Sequence, residues 1–352
     1  MNLKLCILRN ESKTSQAEWE NSCRKYNIDY DVVDFSRNSW LDGVLRKNYD
    51  CYLTRPPGAI SYFKTLYDER LYIVSRVLNK KIYPGYEEIL VYENKKILSY
   101  WLKGLGIPHP KTWVFYHLDE AVEFAKKCRF PIVGKSSIGA SGSGVHIFKS
   151  KAEITNYIHQ IFSEKGVKRS YGPNFRKDKK MARLLNVLAN PLSFHRKVKS
   201  RRMASNIDPQ RWFVILQEFI DTEFEWRVVK IGDSYFAHKK LPVKGMCSGT
   251  TKVRWEDPEP GILDFVADVC SRRDFHSQAV DIFEDRSGNY LVNEMQVFFG
   301  SENSHQMIVN GKPGRYIRQG NQWLFEEGNF NSNNSYDLRL RHLLALLKNN
   351  LL

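Results

Sequence analysis

The sequence predicts an α/β protein assembled from α+β lobes, and three stretches carry that reading. The first ninety residues alternate strand and helix patterns. Lys135 is followed by a run of small residues, Ser136–Gly144, held between the apolar segments 130–134 and 145–148. Farther on, the strand patterns 279–283 and 290–298 are joined by the turn sequence Glu284-Asp-Arg-Ser-Gly-Asn289.

Taken in order, Leu3–Leu8 reads as a strand, Ser15–Tyr26 as a helix, and Ile28–Val33 and Cys51–Thr54 as strands, with parallel neighbours expected from such alternation. Lys64–Leu78 carries Leu66, Leu71, Ile73, Val74 and Val77 at helical spacing. A second unit opens at Glu93. Asn94–Gly104 is a helix stopped by glycine, Gly106-Ile-Pro-His-Pro110 breaks the chain, and a strand (112–115), a helix (118–127), the lysine strand with its loop, and a helix (152–162) follow. Segment 165–211 lacks periodicity except for a short amphipathic helix at Met181–Leu188. After it, 212–220, 224–231 and 235–238 read as an antiparallel meander, then come a helix (260–272), the acidic hairpin and a closing helix (338–351).

Composition narrows the class. With 352 residues, 42% apolar and 13% aromatic, the chain is globular with room for several cores. No apolar run approaches the ~18 residues of a membrane span. The N-terminus reads as a strand and not as a signal peptide, and the six cysteines are scattered singly without zinc spacing, which suits a reducing cytoplasm. The net charge of +15 is concentrated: 165–211 holds 14 Lys/Arg against Asp178 and Asp208, leaving +12 there. The rest is nearly balanced and the basic segment holds few stacking aromatics (Tyr171, Phe175, Phe194), so nucleic acid is not the expected partner.

The Lys135 loop points to phosphate. Backbone N–H groups of a side-chain-poor loop can close over a polyphosphate while the lysine supplies a point charge. Gly134-Lys135-Ser136 is not a Walker A motif, because position 129 is Arg and the chain continues into a strand. The alternative is a plain flexible hairpin. Gln217-Glu-Phe-Ile220 ends a strand where a carboxylate could meet an adenine amino group, or simply be solvated. On the hairpin, Asp281 and Glu294 fall nearly opposite one another, with Gln296 on the face of Glu294. Two carboxylates among apolar neighbours need a counter-ion; Mg²⁺, with oxygen ligands, is one, and a salt-bridged pair is the other reading. Arg227, Lys239, Lys240 and Lys244 follow as cations suited to a transferring phosphoryl group.

As a set, these pieces resemble the ATP-grasp superfamily: Asn94-Lys95 with 106–110, Phe-Pro-Ile-Val-Gly-Lys with its glycine lid (130–144), Gln-Glu-Phe-Ile (217–220), Glu-x-Arg (225–227), Asp281 and Asn-Glu-Met-Gln (293–296). The likeness is to glutathione synthetase and the ribosomal-protein glutamate ligases, and most of all to members found with cell-surface polysaccharide genes, whose tail resembles 310–316 and 325–328. The resemblance implies an ATP-grasp fold with an N-terminal Rossmann-like pre-ATP-grasp domain (1–92), a middle lobe carrying the lid and the basic insertion (93–211), and a C-terminal lobe with the metal site (212–352). It implies that Lys95, Lys135 and the lid residues Ser141, Gly142, Ser143 and Gly144 hold ATP phosphates. Gln217, Glu218, Phe219, Ile220 and Glu225 would hold the rest of the nucleotide. Asp281, Glu294 and Gln296 would hold Mg²⁺, or Mn²⁺ in its place. Gln296 stands where the family usually has Asn, and 245–251 replaces the relatives' basic substrate loop.

The implied reaction is amide formation from a carboxylate and an amine through an acyl phosphate, with Arg227 and Lys135 as the catalytic cations. The substrates would be small molecules, or a glycan or peptide, and 165–211 would hold an anionic acceptor or serve as a solvated segment between lobes. Two rivals stay open: an ATP-grasp phosphotransferase acting on an alcohol, and a non-catalytic polyanion-binding protein. Nothing in the sequence sets the oligomeric state.

Overall fold

The structure, a computed structural model, describes residues 3–139, 144–168, 209–242, 247, 252–299 and 304–352. In the first unit, β1 (Lys4–Arg9), α1 (Ala17–Lys25), β2 (Asp29–Asp34), α2 (Trp40–Leu45), β3 (Cys51–Thr54), α3 (Ser61–Tyr72), β4 (Ile82–Tyr83) and α4 (Tyr86–Val91) alternate as expected. The four strands are parallel in the order β2-β1-β3-β4. Leu5, Cys6, Ile7 and Leu8 are all fully buried, the continuous apolar run that a strand covered on both faces requires.

The second sheet is antiparallel. α5 (Lys95–Gly104), β5 (Thr112–Phe115), α6 (Leu118–Lys127), β6 (Ile132–Lys135), β7 (Val145–Phe148), α7 (Lys151–Ile161) and β8 (Val214–Glu218) give the strand order β5-β8-β6-β7. Ser150 caps α7 by accepting from the Glu153 N–H, and Asn94 caps α5 by accepting from Ile97. Ala121, Ala125, Ile154 and Ile158 bury the two helices against Ile132, Val214 and Leu216. Each fully buried isoleucine there contributes about 1.5–3 kcal/mol.

The third sheet holds β9 (Glu225–Ile231), β10 (Ser234–Lys240), β11 (Val253–Arg254), β12 (Ser277–Glu284), β13 (Tyr290–Gln296), β14 (Ile308–Val309), β15 (Lys312–Gln319) and β16 (Gln322–Glu327), with α8 (Pro260–Ser271) packed on it. Its path is β13-β12-β9-β10-β15-β14, with β11 on β10 and β16 on β15. The final helix, α9 (Tyr336–Lys348), returns to the first unit: Leu340 and Leu343 complete the core around Leu5, Trp19 and Tyr52.

One expected pairing is corrected. Strand 214–218 is not the first strand of a meander with 225–231; it pairs with β5 and β6, Lys135 lying opposite Ile215 and Thr112 opposite Gln217. Val214, Ile215 and Leu216 are completely buried, which a central position in the second sheet provides. The short helix expected at 181–188 lies outside the described residues.

Candidate active site

The second and third sheets face each other across a pocket of about 220 Å³. Val133, Val145, Ile147, Phe219, Ile220 and Phe283 make an apolar slot, and Lys95, Lys135, Glu225, Asn293 and Glu294 crowd one end. β8 runs out into this slot. Gln217 is fixed there by donating to Thr112 Oγ1 at 2.8 Å, and Glu218 Oε1 accepts the Lys111 N–H at 2.6 Å while lining the pocket. Glu218 is therefore held in orientation by the backbone of the facing strand.

The phosphate-type loop starts on β6, where Gly134 is required by packing. A Cβ there would stand 2.7 Å from the Phe148 ring and 3.2 Å from the Tyr157 ring. Ser136 N–H donates to Gly144 O at 2.8 Å and closes the base of the hairpin. The base is also tied to the start of α5, since Lys95 N–H donates to Ser137 O (2.9 Å) and the Lys95 ammonium donates to Gly139 O (2.9 Å). Gly139 and Gly144 line the pocket. Ser141, Gly142 and Ser143 lie outside the described residues, as do 169–208 of the basic insertion and Lys244.

Two lysines enter the pocket with opposite electrostatic fates. Lys135 donates to the neutral Asn293 Oδ1 at 2.8 Å; burial, then the neighbouring Lys95, lowers its pKa to about 8. Burial pulls Lys95 the same way, yet Glu294 at 3.1 Å and Glu93 at 3.5 Å outweigh it and raise its pKa. Glu93 is almost wholly buried, and burial pushes its carboxyl up to about 7 against the pull of Lys95.

The acidic hairpin forms as the sequence predicts. Asp281 stands directly opposite Glu294, and Gly288 adopts the φ of +78° that the turn needs. Asp281 also lies opposite Arg227 on β9. Arg227 grips it with two hydrogen bonds, Nε to Oδ1 at 2.8 Å and Nη2 to Oδ2 at 2.9 Å, and donates to Gln296 Oε1 at 3.2 Å. Lys240 donates to Asp281 Oδ2 at 2.7 Å and pairs with Glu225 at 2.5 Å. Burial alone would raise the Asp281 carboxyl, but Arg227 and then Lys240 hold it far below the usual carboxylate range.

The counter-ions of the two hairpin acids in this structure are therefore Arg227, Lys240 and Lys95. The oxygen set of Asp281, Glu294 and the Gln296 amide still suits a hard divalent cation: the two carboxylates are cross-strand partners, and Gln296 Oε1 meets Asp281 at the same guanidinium. Among the described residues no three His, Cys, Asp or Glu side chains are arranged so that they alone could hold a metal ion, so a metal here would complete its shell with phosphate and water oxygens.

Two contributors escaped the sequence reading as site residues, Asn293 and Glu93. Strand alternation would turn Asn293 away from the face of Glu294. The hairpin register skips, however, from Asp281↔Glu294 to Ile282↔Val292, so Asn293 is the extra residue of a bulge. It donates to Glu225 at 2.5 Å and accepts from Lys135, linking the two sheets. Lys239, read with the phosphate cations, pairs instead with Glu256 and sits over the Phe224 and Trp226 rings.

Comparisons with known proteins bear on the fold. Residues 96–173 match the family described as carbamoyl-phosphate synthase L chain, ATP binding domain. The carbamoyl phosphate synthase large chain of Clostridium beijerinckii is 30% identical over 78 residues, which is 22% of this chain and 7% of that one. That of Pyrococcus furiosus is 30% identical over 71 residues, 20% of this chain and 7% of the other. The match thus spans a small part of those relatives. Among solved structures, D-cycloserine synthetase superposes with a TM-score of 0.54 at 14% identity, covering 96% of this chain and 99% of that one. N5-carboxyaminoimidazole ribonucleotide synthetase of Thermotoga maritima gives 0.51 at 16% identity, covering 84% and 68%. The biotin carboxylase domain of Hydrogenobacter thermophilus 2-oxoglutarate carboxylase, solved with MgADP, gives 0.52 at 13% identity, covering 85% and 64%. The chain has the ATP-grasp fold, as its motifs led us to expect.

Among the described residues no helix is long and apolar enough to cross a membrane, and none of the six cysteines is paired.

Proposed function

We propose that this chain is an ATP-dependent carboxylate–amine ligase whose nucleotide lies in the slot between the second and third sheets. The observation that carries this reading is the junction of an apolar slot with a cluster of four cations, Lys95, Lys135, Arg227 and Lys240, set among Glu93, Glu225, Asp281 and Glu294. Val133, Ile147, Phe219 and Ile220 take the base by apolar contact, and the constrained Glu218 and its flanking backbone read its polar edge. Lys95, Lys135 and the loop amides hold the phosphates.

Asp281, Glu294 and Gln296 would hold Mg²⁺, or Mn²⁺, whose positive charge, when bound, offsets charge on the phosphates. The rest of the chemistry is positional. An oxygen of the acceptor carboxylate attacks the γ-phosphorus and the bond to ADP breaks. An amine then attacks the acyl carbon, phosphate leaves with the bridging oxygen, and the amine loses a proton. Arg227 and Lys135 steady the negative charge in both steps. Lys135, with its pKa near 8, is charged at neutral pH yet poorly solvated, so a phosphate is a better partner for it than Asn293.

The acceptor we propose is an anionic glycan precursor or peptide from cell-surface polysaccharide assembly. The 14 cations in 165–211 support an anionic acceptor, and the six unpaired thiols suit a cytoplasmic setting. The test is ADP and phosphate release from Mg-ATP, with pooled carboxylates and amines added in turn. Release that needs both a carboxylate and an amine supports the ligase. Phosphate appearing on an alcohol acceptor replaces it with a phosphotransferase, and failure to bind Mg-ATP overturns the site.

A further inference from the structure

The first sheet has a reversal of strand order. The chain runs from β1 outward to β2, then crosses to the other side of β1 for β3, so the crevice beyond the C-terminal ends of β1 and β3 is a topological switch point. Ligands of open parallel sheets sit at such crevices. Asn10 leaves β1 and Arg55 leaves β3 at this place, and they are tied by the Asn10 side chain donating to Arg55 O at 2.9 Å.

Among the described residues Arg55 has no carboxylate companion of the kind a buried cation normally has. Its guanidinium lies 4.8 Å from the Phe298 ring centre and 6.0 Å from that of Tyr336. Its Nε is buried without a hydrogen-bond partner. Arg339 stacks on the same two rings, at 5.0 and 4.9 Å, and is 1% exposed; its Nη2 donates to Val297 O, and its own Nε has no hydrogen-bond partner among the described residues. Among the described residues neither guanidinium forms an ion pair with a carboxylate; the acid whose field reaches Arg55 most is Glu18. Two like charges sharing an aromatic box are costly without an anion.

The crevice adjoins the reaction end of the nucleotide pocket. In the loop after β3, a Cβ on Gly58 would come within 2.8 Å of the Tyr92 hydroxyl and 2.9 Å of Glu93 Cγ, and Glu93 holds Lys95. Phe298 lies four residues beyond Glu294 on the chain and its ring is 6.4 Å from that of Tyr92.

We propose that Arg55 is an anion-binding subsite for the co-substrate: it takes a non-reacting carboxylate or phosphoryl group, with Asn10 setting the loop and Arg339 adding positive potential from behind. Arg55 is half-buried as a residue, and its guanidinium offers a planar donor pair suited to either group. The inference rests on the ligase reading, which places a second substrate beside the nucleotide.

The test follows the melting midpoint of the full chain with succinate, inorganic phosphate or the neutral isostere succinamide, with Mg-ADP titrated separately. Succinate or phosphate should stabilise the wild type in the millimolar range, the stronger of the two revealing the group preferred, and succinamide should not. Arg55→Gln should weaken that response at least tenfold, Arg55→Lys less, with Mg-ADP affinity within about twofold of wild type in both. No anion response in the wild type, or an unchanged one in Arg55→Gln, overturns the subsite. Loss of Mg-ADP binding in the wild type would instead strike the nucleotide reading and leave the anion result standing on its own.

Discussion

Replacing Asp281 by Asn removes one charge from a buried four-charge cluster and leaves every other group in place. Asp281 is 2% exposed and accepts from Arg227 at 2.8 and 2.9 Å and from Lys240 at 2.7 Å, while Glu225 supplies the second negative charge. Two cations then face one carboxylate. Removing one partner of a buried pair costs about 3–5 kcal/mol. Lys240 keeps Glu225 and Arg227 keeps Gln296, so the lower end, about 3 kcal/mol, is the expected loss for the nucleotide-free protein. Urea unfolding of the apo protein at neutral pH measures it. A second change, Lys240→Met, removes the surplus cation and should make the double variant more stable than the sum of the two single losses. The pH dependence has a definite sign. The folded pKa of Asp281 is depressed, so its contribution is complete above its unfolded value of about 3.9 and is lost as pH falls below it. An apo Asp281→Asn protein within about 0.5 kcal/mol of wild type would refute the view that Arg227 and Lys240 are neutralised by this carboxylate.

Other outcomes follow from the same geometry. Lys135→Met should abolish ATP turnover with the fold retained, measured by ADP release beside circular dichroism. In the wild type, Mg-ADP affinity should fall as pH rises above about 8, where Lys135 loses its proton, and calorimetry on Lys135→Met should show that slope gone. Because this lysine's folded pKa lies below its unfolded value, its destabilising effect is complete below about pH 8 and fades as pH rises toward 10.5. Gly134→Ala drives a methyl toward the Phe148 ring 2.7 Å away and should cost about 1–3 kcal/mol in urea unfolding, part of it recovered by Phe148→Leu. Deleting 170–205 should leave Mg-ADP affinity within about threefold and raise the KM for the acceptor, since Lys95 and Lys135, which line the pocket, lie outside that segment.

How much was legible in the sequence depended on whether the signal was local. The parallel first sheet, the Lys135 loop and the acidic hairpin could be read because alternation, glycine placement and a five-residue turn are written in adjacent residues. The pairing of β8 could not: its partner β5 lies about a hundred residues earlier, and adjacency to β9 suggested a meander that the second sheet pre-empts. Asn293 was hidden by the bulge, which reverses the face that strict period-two counting assigns. Glu93 precedes a helix with φ of +49° and gains meaning only when the fold brings Glu294 and Lys95 against it. The pairing of Arg227 and Lys240 with Asp281 likewise belongs to the sheet order β12-β9-β10, which no local pattern records.

The most direct test of the acyl-phosphate account follows a heavy-oxygen label from the acceptor carboxylate during turnover with Mg-ATP and amine. The account predicts that each phosphate released carries one oxygen from that carboxylate, because the acyl carbon gives up the bridging oxygen when the amine attacks. Amide formation with unlabelled phosphate would contradict it.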